Sequence, residues 1–284
     1  MDLQRCDRGM SASYEASSPT RRRIGGTLLV CALTATVAAC AGTGRVTDIP
    51  DVGDLEADRL LFERGSEAID GRNWTRAREY FVQIRDNYPQ SEYRAEARLQ
   101  IGDTYEGEGS AESYIRALEE FQDFLSLYPT HPRAGYAQYK LGMVHFHHMG
   151  RAERDQTETL SAIAEFEAFL ARFPSEHELV PQVLEGLRGA RDRLGTHDFQ
   201  VGVYYYSHAN YAGAIARFRQ LLEEDPEFTE LDGVYFYLAS SLADTTQVSE
   251  AIPYFARVLD EFPESEFAEL SALRLTELEA GAQP

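Results

Sequence analysis

Five times along the chain a small apolar residue, an aromatic residue four positions on and a proline eight positions beyond that recur in register. The sets are Ala77/Phe81/Pro89, Ala117/Phe121/Pro129, Ala162/Phe166/Pro174, Ala214/Phe218/Pro226 and Ala251/Phe255/Pro263. An i, i+4 pair of apolar residues marks one face of a helix, and a proline past it marks where the helix stops. A second small residue precedes each set: Gly65, Gly102, Gly142, Gly202 and Ala239. The pattern therefore predicts a helix ahead of each one, and a chain assembled from copies of one antiparallel helix pair. Arrays of this kind bind other chains more often than they catalyse.

With each proline closing a motif of about 34 residues, the sets match the tetratricopeptide pattern. The small residue of the first helix, A, is expected to face the alanine of the second, B, so that the backbones approach closely. The large residue then fills the gap toward the next repeat. The expected fold class is all-α: a tetratricopeptide solenoid of five helix pairs over residues 55–280, with repeats at about 58–91, 93–131, 133–176, 178–228 and 230–265 and a capping helix at 266–280. Uneven proline spacing calls for inserts. Gly107 to Ser113 reads as a loop between the helices of repeat 2, and His148 to Thr159 as a longer one in repeat 3. Leu179, Val183, Leu187 and Leu194, at helical spacing, lengthen the first helix of repeat 4. Glu269, Arg274, Glu277 and Glu279 keep one face of the cap wet.

Ahead of the repeats, Arg21, Arg22 and Arg23 precede an apolar run from Ile24 to Ala39 that ends Val37-Ala38-Ala39-Cys40. The run is too short and too rich in small residues to span a bilayer. It reads as a bacterial lipoprotein signal over residues 1–39, whose removal leaves Cys40 as an acylated first residue. Each buried CH₂ contributes about 0.8 kcal/mol, so three chains hold permanently where one holds reversibly. Residue 41 is Ala rather than the Asp that retains such proteins in the inner membrane, which favours the periplasmic face of the outer membrane. Residues 40–54, with Gly42, Gly44, Pro50 and Gly53, read as a flexible tether. Cys6 and Cys31 fall in the leader, so the processed chain has no thiol for a disulfide, catalysis or a metal.

Charge narrows the partners. The formal net charge is −20, and the leader holds more Arg than acid, so the repeats are more acidic still. Such a surface does not track a phosphate backbone, which excludes nucleic acid. The only lysine is Lys140, and the arginines are interspersed with acids in the manner of surface pairs. His145, His147 and His148 have no acid or Cys at ligand spacing, and His145 falls at a packing position of helix A, so no metal is expected. Arg154, Asp155 and Glu158 make a charged loop of a common kind. With no phosphate-binding glycine loop, Ser/His/Asp order or HExxH, no enzyme activity is expected, and no cofactor beyond the lipid on Cys40.

Finer motifs carry a resemblance. Tyr128-Pro129-Thr130-His131-Pro132, then Tyr136-Ala137-Gln138-Tyr139-Lys140-Leu141-Gly142 and Arg154-Asp155-Gln156-Thr157, resemble the BamD family of outer-membrane assembly lipoproteins. So do His197-Asp198-Phe199-Gln200-Val201-Gly202 and Tyr211-Ala212-Gly213-Ala214-Ile215-Ala216-Arg217-Phe218. The likeness runs from about Leu55 to Leu278; extreme acidity and near-absence of lysine depart from it, and Asp198 stands where Glu is more usual. The resemblance implies a subunit of the β-barrel assembly complex, partnered by a BamA-like barrel protein with POTRA domains and by other Bam lipoproteins. It further implies that the C-terminal repeats dock the POTRA domains, with Arg217 matching an arginine that pairs with a POTRA carboxylate. The N-terminal repeats would accept C-terminal targeting segments of unfolded outer-membrane proteins.

The repeat register points to a compatible surface. Helix A positions that line the concave wall of such a solenoid hold Phe62 and Ile69 in repeat 1, Leu99 in repeat 2, and Tyr136, Tyr139, Met143 and Phe146 in repeat 3. An apolar and aromatic patch of this kind suits the alternating aromatic end of a barrel strand. Two other readings stand beside this one. A tetratricopeptide lipoprotein coordinating Tol or peptidoglycan-synthesis proteins would favour a coiled-coil segment, and no heptad run is visible. An envelope hydrolase or enzyme regulator would need a catalytic constellation.

Overall fold

The computed structural model describes residues 54–281, which form eleven α-helices and no strand. Five antiparallel pairs follow one another: α1 (Asp54–Asp70) with α2 (Trp74–Asn87), α3 (Arg94–Glu108) with α4 (Ala111–Leu127), α5 (Ala134–His148) with α6 (Thr157–Arg172), α7 (Val180–Ser207) with α8 (Tyr211–Glu224), and α9 (Leu231–Asp244) with α10 (Val248–Glu261). Helix α11 (Ala268–Gly281) closes the stack, its Leu275 and Leu278 packed on the core of the last pair. Among the described residues no helix is long and apolar enough to cross a membrane.

The turns inside the pairs are made by backbone geometry. In repeats 1, 4 and 5 a left-handed residue ends helix A: Arg72, Ala209 and Thr246, at φ of 53°, 55° and 62°. The next N–H, of Asn73, Asn210 or Gln247, returns to the carbonyl of Ala68, Tyr205 or Leu242 and satisfies an orphan of the helix end. Asn73 and Asn210 then accept from Arg76 and Gly213 to cap helix B. Repeat 2 departs from expectation. Gly107 lies inside α3, and the loop shrinks to Gly109 and Ser110. Gly109, at φ 68°, stops α3, while Ser110 and Ser113 form a reciprocal capping box that starts α4 at once.

The core is organised around one phenylalanine per repeat. Phe81, Phe121, Phe166, Phe218 and Phe255 are all fully buried. The glycine in helix A receives this ring, and not the helix B alanine as the sequence suggests: a Cβ on Gly65, Gly102, Gly142 or Gly202 would lie within 2.7 Å of a ring atom of Phe81, Phe121, Phe166 or Phe218. Phe166 is also clasped from the next repeat by Gly186. The ring thus fills the space within its own pair and the gap to the following one.

Helix α7, 28 residues long, serves two neighbours. Its first half buries Val183, Leu187 and Ala190 against Phe166 and Phe169 of α6. Gly195 and Gly202 further along accept Phe228 and Phe218. Arg188 ties this helix to the end of α8, its guanidinium donating to both carboxylate oxygens of Asp225, one at 2.9 Å.

Candidate functional site

The residues expected to line a groove divide among three cores. Phe62 and Ile69 pack into the first, Phe62 lying edge-on to Phe81 at 5.5 Å and stacked on Tyr93 at 5.0 Å. Tyr136 belongs to the second, while Tyr139, Met143 and Phe146 belong to the third, beside Phe166. All six are half-buried, so each keeps part of its side chain accessible. Leu99 is different. It is 0% exposed, enclosed with Phe121, Phe124 and Ala137, and is a core residue without access to a peptide. The register assigned it to the open wall, but the inner faces of α4 and α5 close over it.

The apolar strip is interrupted by a polar knot that sequence reasoning missed. From α3, Asp103 and Glu106 converge on Lys140 of α5; Lys140 Nζ is 3.3 Å from Asp103 and also pairs with Glu106. The Tyr136 hydroxyl donates to Asp103 at 2.8 Å, and Arg133 lies over the Tyr136 ring at 4.3 Å. Burial raises the Asp103 carboxyl above its usual range despite the cation beside it. At Lys140 burial pulls downward, but two carboxylates outweigh it and the ammonium is held above its ordinary value. Burial and the Asp103 charge likewise push the Tyr136 hydroxyl up. Asp103, Glu106 and Glu96, the last 3.5 Å from Arg133, outnumber Lys140 and Arg133 by one and leave this part of the wall net anionic. A free carboxylate is repelled there, whereas cations and main-chain amides find acceptors. The one signal in the sequence was that its sole lysine sits four residues after Tyr136, facing Asp103 and Glu106 at helical spacing.

The three clustered histidines point to separate partners. His145 Nδ1 lies 2.7 Å from Glu158, whose carboxylate also accepts from Tyr114; His147 is 3.6 Å from Glu106; His148 donates to the carbonyl of Val144 at 2.9 Å. Burial works to raise the Glu158 carboxyl, but the hydrogen bonds from His145 and Tyr114 win and hold it low. Among the described residues no group of His, Cys, Asp or Glu has the geometry of a metal site. Arg217 stands on α8, half-buried, its Nη1 donating to Gln220 at 3.3 Å, and makes no ion pair among the described residues. Cys40 and the tether lie outside the described residues.

A signal between repeats also escaped notice. Two or three residues after the proline, Ser91, His131, His177 and Ser265 each accept a backbone N–H from two positions on, of Tyr93, Arg133, Leu179 and Phe267. The two imidazoles also stand edge-on to Phe124 and Phe169, so they hold the entry to the next helix A by polarity and packing together.

The chain is 27% identical over 197 residues to the outer membrane protein assembly factor BamD of Caulobacter vibrioides, covering 69% of this chain and 63% of that one. It is 23% identical over 174 residues to the BamD of Rickettsia prowazekii, covering 61% and 68%. The chain thus spans less than two thirds of the Caulobacter protein's length. Among solved structures, the TPR2AB domain of yeast Sti1 in its pHSP90 complex aligns at a TM-score of 0.45 and 12% identity, over 79% of this chain and 83% of that one. A tetratricopeptide model matches residues 234–265. The family model described as outer membrane lipoprotein, YfiO, matches residues 56–243, from the first turn of α1 to the last of α9; the chain belongs to this family, that of BamD.

Proposed function

We propose that the protein is an outer-membrane assembly factor: a non-catalytic lipoprotein, held by Cys40 at the periplasmic face, that scaffolds the POTRA domains of a BamA-like barrel subunit and transiently receives C-terminal segments of unfolded outer-membrane proteins. The observation that carries it is the family match across four of the five helix pairs, in a chain whose relatives are named as assembly factors. The half-buried Phe62, Ile69, Tyr136, Tyr139, Met143 and Phe146 support the substrate role, since each offers an apolar edge on an A helix. The anionic knot at Asp103, Glu106 and Lys140 favours an incoming strand held by side chains and main-chain N–H groups, with its terminal carboxylate kept away.

Magnitudes fit a handover. Burying two aromatic anchors gives about 3–6 kcal/mol gross, against an association cost of about 4 kcal/mol or more. The expected peptide affinity is micromolar or weaker. Arg217, unpaired by any acid of its own chain among the described residues, supports the docking role. The test is co-purification from gently solubilised membranes with mass spectrometry, for the native protein and for Arg217→Glu. Recovery of a POTRA-bearing barrel protein with the native chain and its loss with the variant is expected. Absence of that protein from the native pull-down overturns the proposal.

A further inference from the structure

The face of α1 turned away from Phe62 and Ile69 borders an open cavity of about 400 Å³. Arg64, Glu67 and Gly71, three and four residues apart, line it from α1, and Arg76 and Tyr80 line it from α2. Among the described residues no repeat stacks on this side. Arg78, two residues from Arg76, points the other way, into α3, where it pairs with Glu108 at 2.7 Å and lies over the Tyr105 ring at 4.0 Å. The cavity therefore opens at the free end of the stack.

Two cations meet here in a chain of net charge −20, and neither makes an ion pair among the described residues. Arg76 Nε donates instead to the Tyr80 hydroxyl at a long 3.4 Å, while Glu67 and Glu79 act on Arg76 by charge alone. Tyr80 is a second, independent signal. Its side chain is only 6% exposed, yet its hydroxyl accepts that one long bond and donates its own proton to no group among the described residues. A buried phenol with an unspent donor is stabilised by whatever supplies an acceptor. The first turn of α2 adds the positive end of a 14-residue helix, with Asn73 already engaged in capping the Arg76 N–H. Two guanidinium groups, a phenolic O–H and a helix N-terminus suit an oxyanion, and Glu67 on the same cavity suits an ammonium a few atoms away.

We infer that this cavity binds the phosphoethanolamine headgroup of a zwitterionic phospholipid, with the phosphate on Arg64, Arg76 and the Tyr80 hydroxyl and the ammonium on Glu67, so that repeat 1 lies against the leaflet. This rests on the reading of Cys40 as an acylated anchor. Residues 41–53 separate Cys40 from α1 and reach at most about 45 Å when fully extended. The cavity lies toward the far end of α1, about 25 Å from its start, so the anchoring leaflet is within reach and the headgroup is presented at high effective concentration. Charge favours the same ligand: anionic lipid repels so acidic a chain, whereas a zwitterion brings a phosphate with no net charge. A peptide carboxylate would leave Glu67 without a partner and would sit on the wrong side of α1 for Phe62 and Ile69.

Trp74, the only tryptophan, opens α2 beside the cavity and reports on it. In the first experiment the full-length acylated protein is placed in vesicles of phosphatidylcholine, with or without phosphatidylethanolamine, each holding a trace of headgroup-dansylated lipid. Energy transfer from Trp74 should be greater with phosphatidylethanolamine, and Arg64→Gln with Arg76→Gln should bring it down to the phosphatidylcholine level. In the second, Trp74 emission of the same protein in maltoside micelles is titrated with soluble glycerophosphoethanolamine, with inorganic phosphate and with a peptide ending in phenylalanine. Glycerophosphoethanolamine should bind tightest, and its affinity should fall about tenfold or more in the double variant and about threefold or more in Tyr80→Phe. Arg257→Gln with Arg274→Gln, the same charge change at the other end of the stack, should alter neither readout. Equal transfer in the two lipids overturns the proposal, and so does equal or tighter binding of inorganic phosphate or of the peptide. If the chain carries no acyl group and stays out of the vesicles, the Cys40 reading fails by itself; the titration then decides the cavity, with no binding of glycerophosphoethanolamine overturning it.

Discussion

His197 Nδ1 lies 2.6 Å from the main-chain oxygen of Ala152, fastening the repeat 3 insert to the middle of α7. From inside the insert Gln156 does complementary work: its amide nitrogen donates to the carbonyls of Arg151, Ala152 and Arg154 at 2.9–3.1 Å, and its oxygen accepts from Thr159. Gln156→Ala strands the buried Thr159 hydroxyl and removes the donor to the Arg151 and Arg154 carbonyls, and should cost about 1–3 kcal/mol. Amide exchange should rise first in residues 150–157. Uniform exchange with unaltered stability would show that water substitutes for the side chain.

Gly142 has no room to grow, because a Cβ would meet the Phe166 ring at 2.5 Å, and that ring is held from the far side by Gly186. Gly142→Leu should destabilise the fold by about 1–3 kcal/mol or more through overpacking. Trimming the ring as well, in Gly142→Ala with Phe166→Leu, should recover part of what Gly142→Ala alone loses. The measurement is denaturant unfolding of the two single variants and the double; strict additivity would mean the two sites do not press on each other.

The polar knot predicts a signed pH dependence. Lys140 and Tyr136 both have folded-state values raised above their ordinary ones near about 10, so their contribution is present below that pH and is lost as pH rises through the raised values. Asp103 is raised too, so its proton is bound more tightly in the fold, and acidification does not strip stability at this site. Lys140→Met should cost about 3–5 kcal/mol at neutral pH by stranding two buried carboxylates. That deficit should shrink as acidification protonates Asp103, whose carboxyl burial already holds above its usual range. Equal stability of variant and native chain at pH 7 would remove the knot from the account.

Cys40→Ser should abolish acylation and release the chain into the soluble periplasmic fraction. Fractionation followed by immunoblotting reads this directly. Retention in the membrane pellet would assign attachment to protein partners.

The repeated Ala, Phe and Pro were legible because each enforces its effect locally: a helix face every fourth residue and a chain stop. That spacing was enough for an all-helical stack of five pairs with a cap. Which atoms the glycines met was not legible. The sequence pairs small with small, but a fully buried phenyl ring needs a cradle, and only a residue without a Cβ supplies it across a helix crossing. The same limit applies to Leu99, whose position in the repeat is that of an open wall and whose burial is set by α4 and α5 closing over it.

What the chain determined alone is its local grammar of helix faces and stops, set by residues within a few positions of one another, together with its overall acidity. The tertiary structure decided which charges meet. Asp103 and Glu106 find Lys140, Glu158 finds His145 and Tyr114, and Asp225 finds Arg188. These pairings join helices 13 to 44 residues apart, and their energies depend on burial as steeply as on distance, a quantity that exists only once the helices have packed.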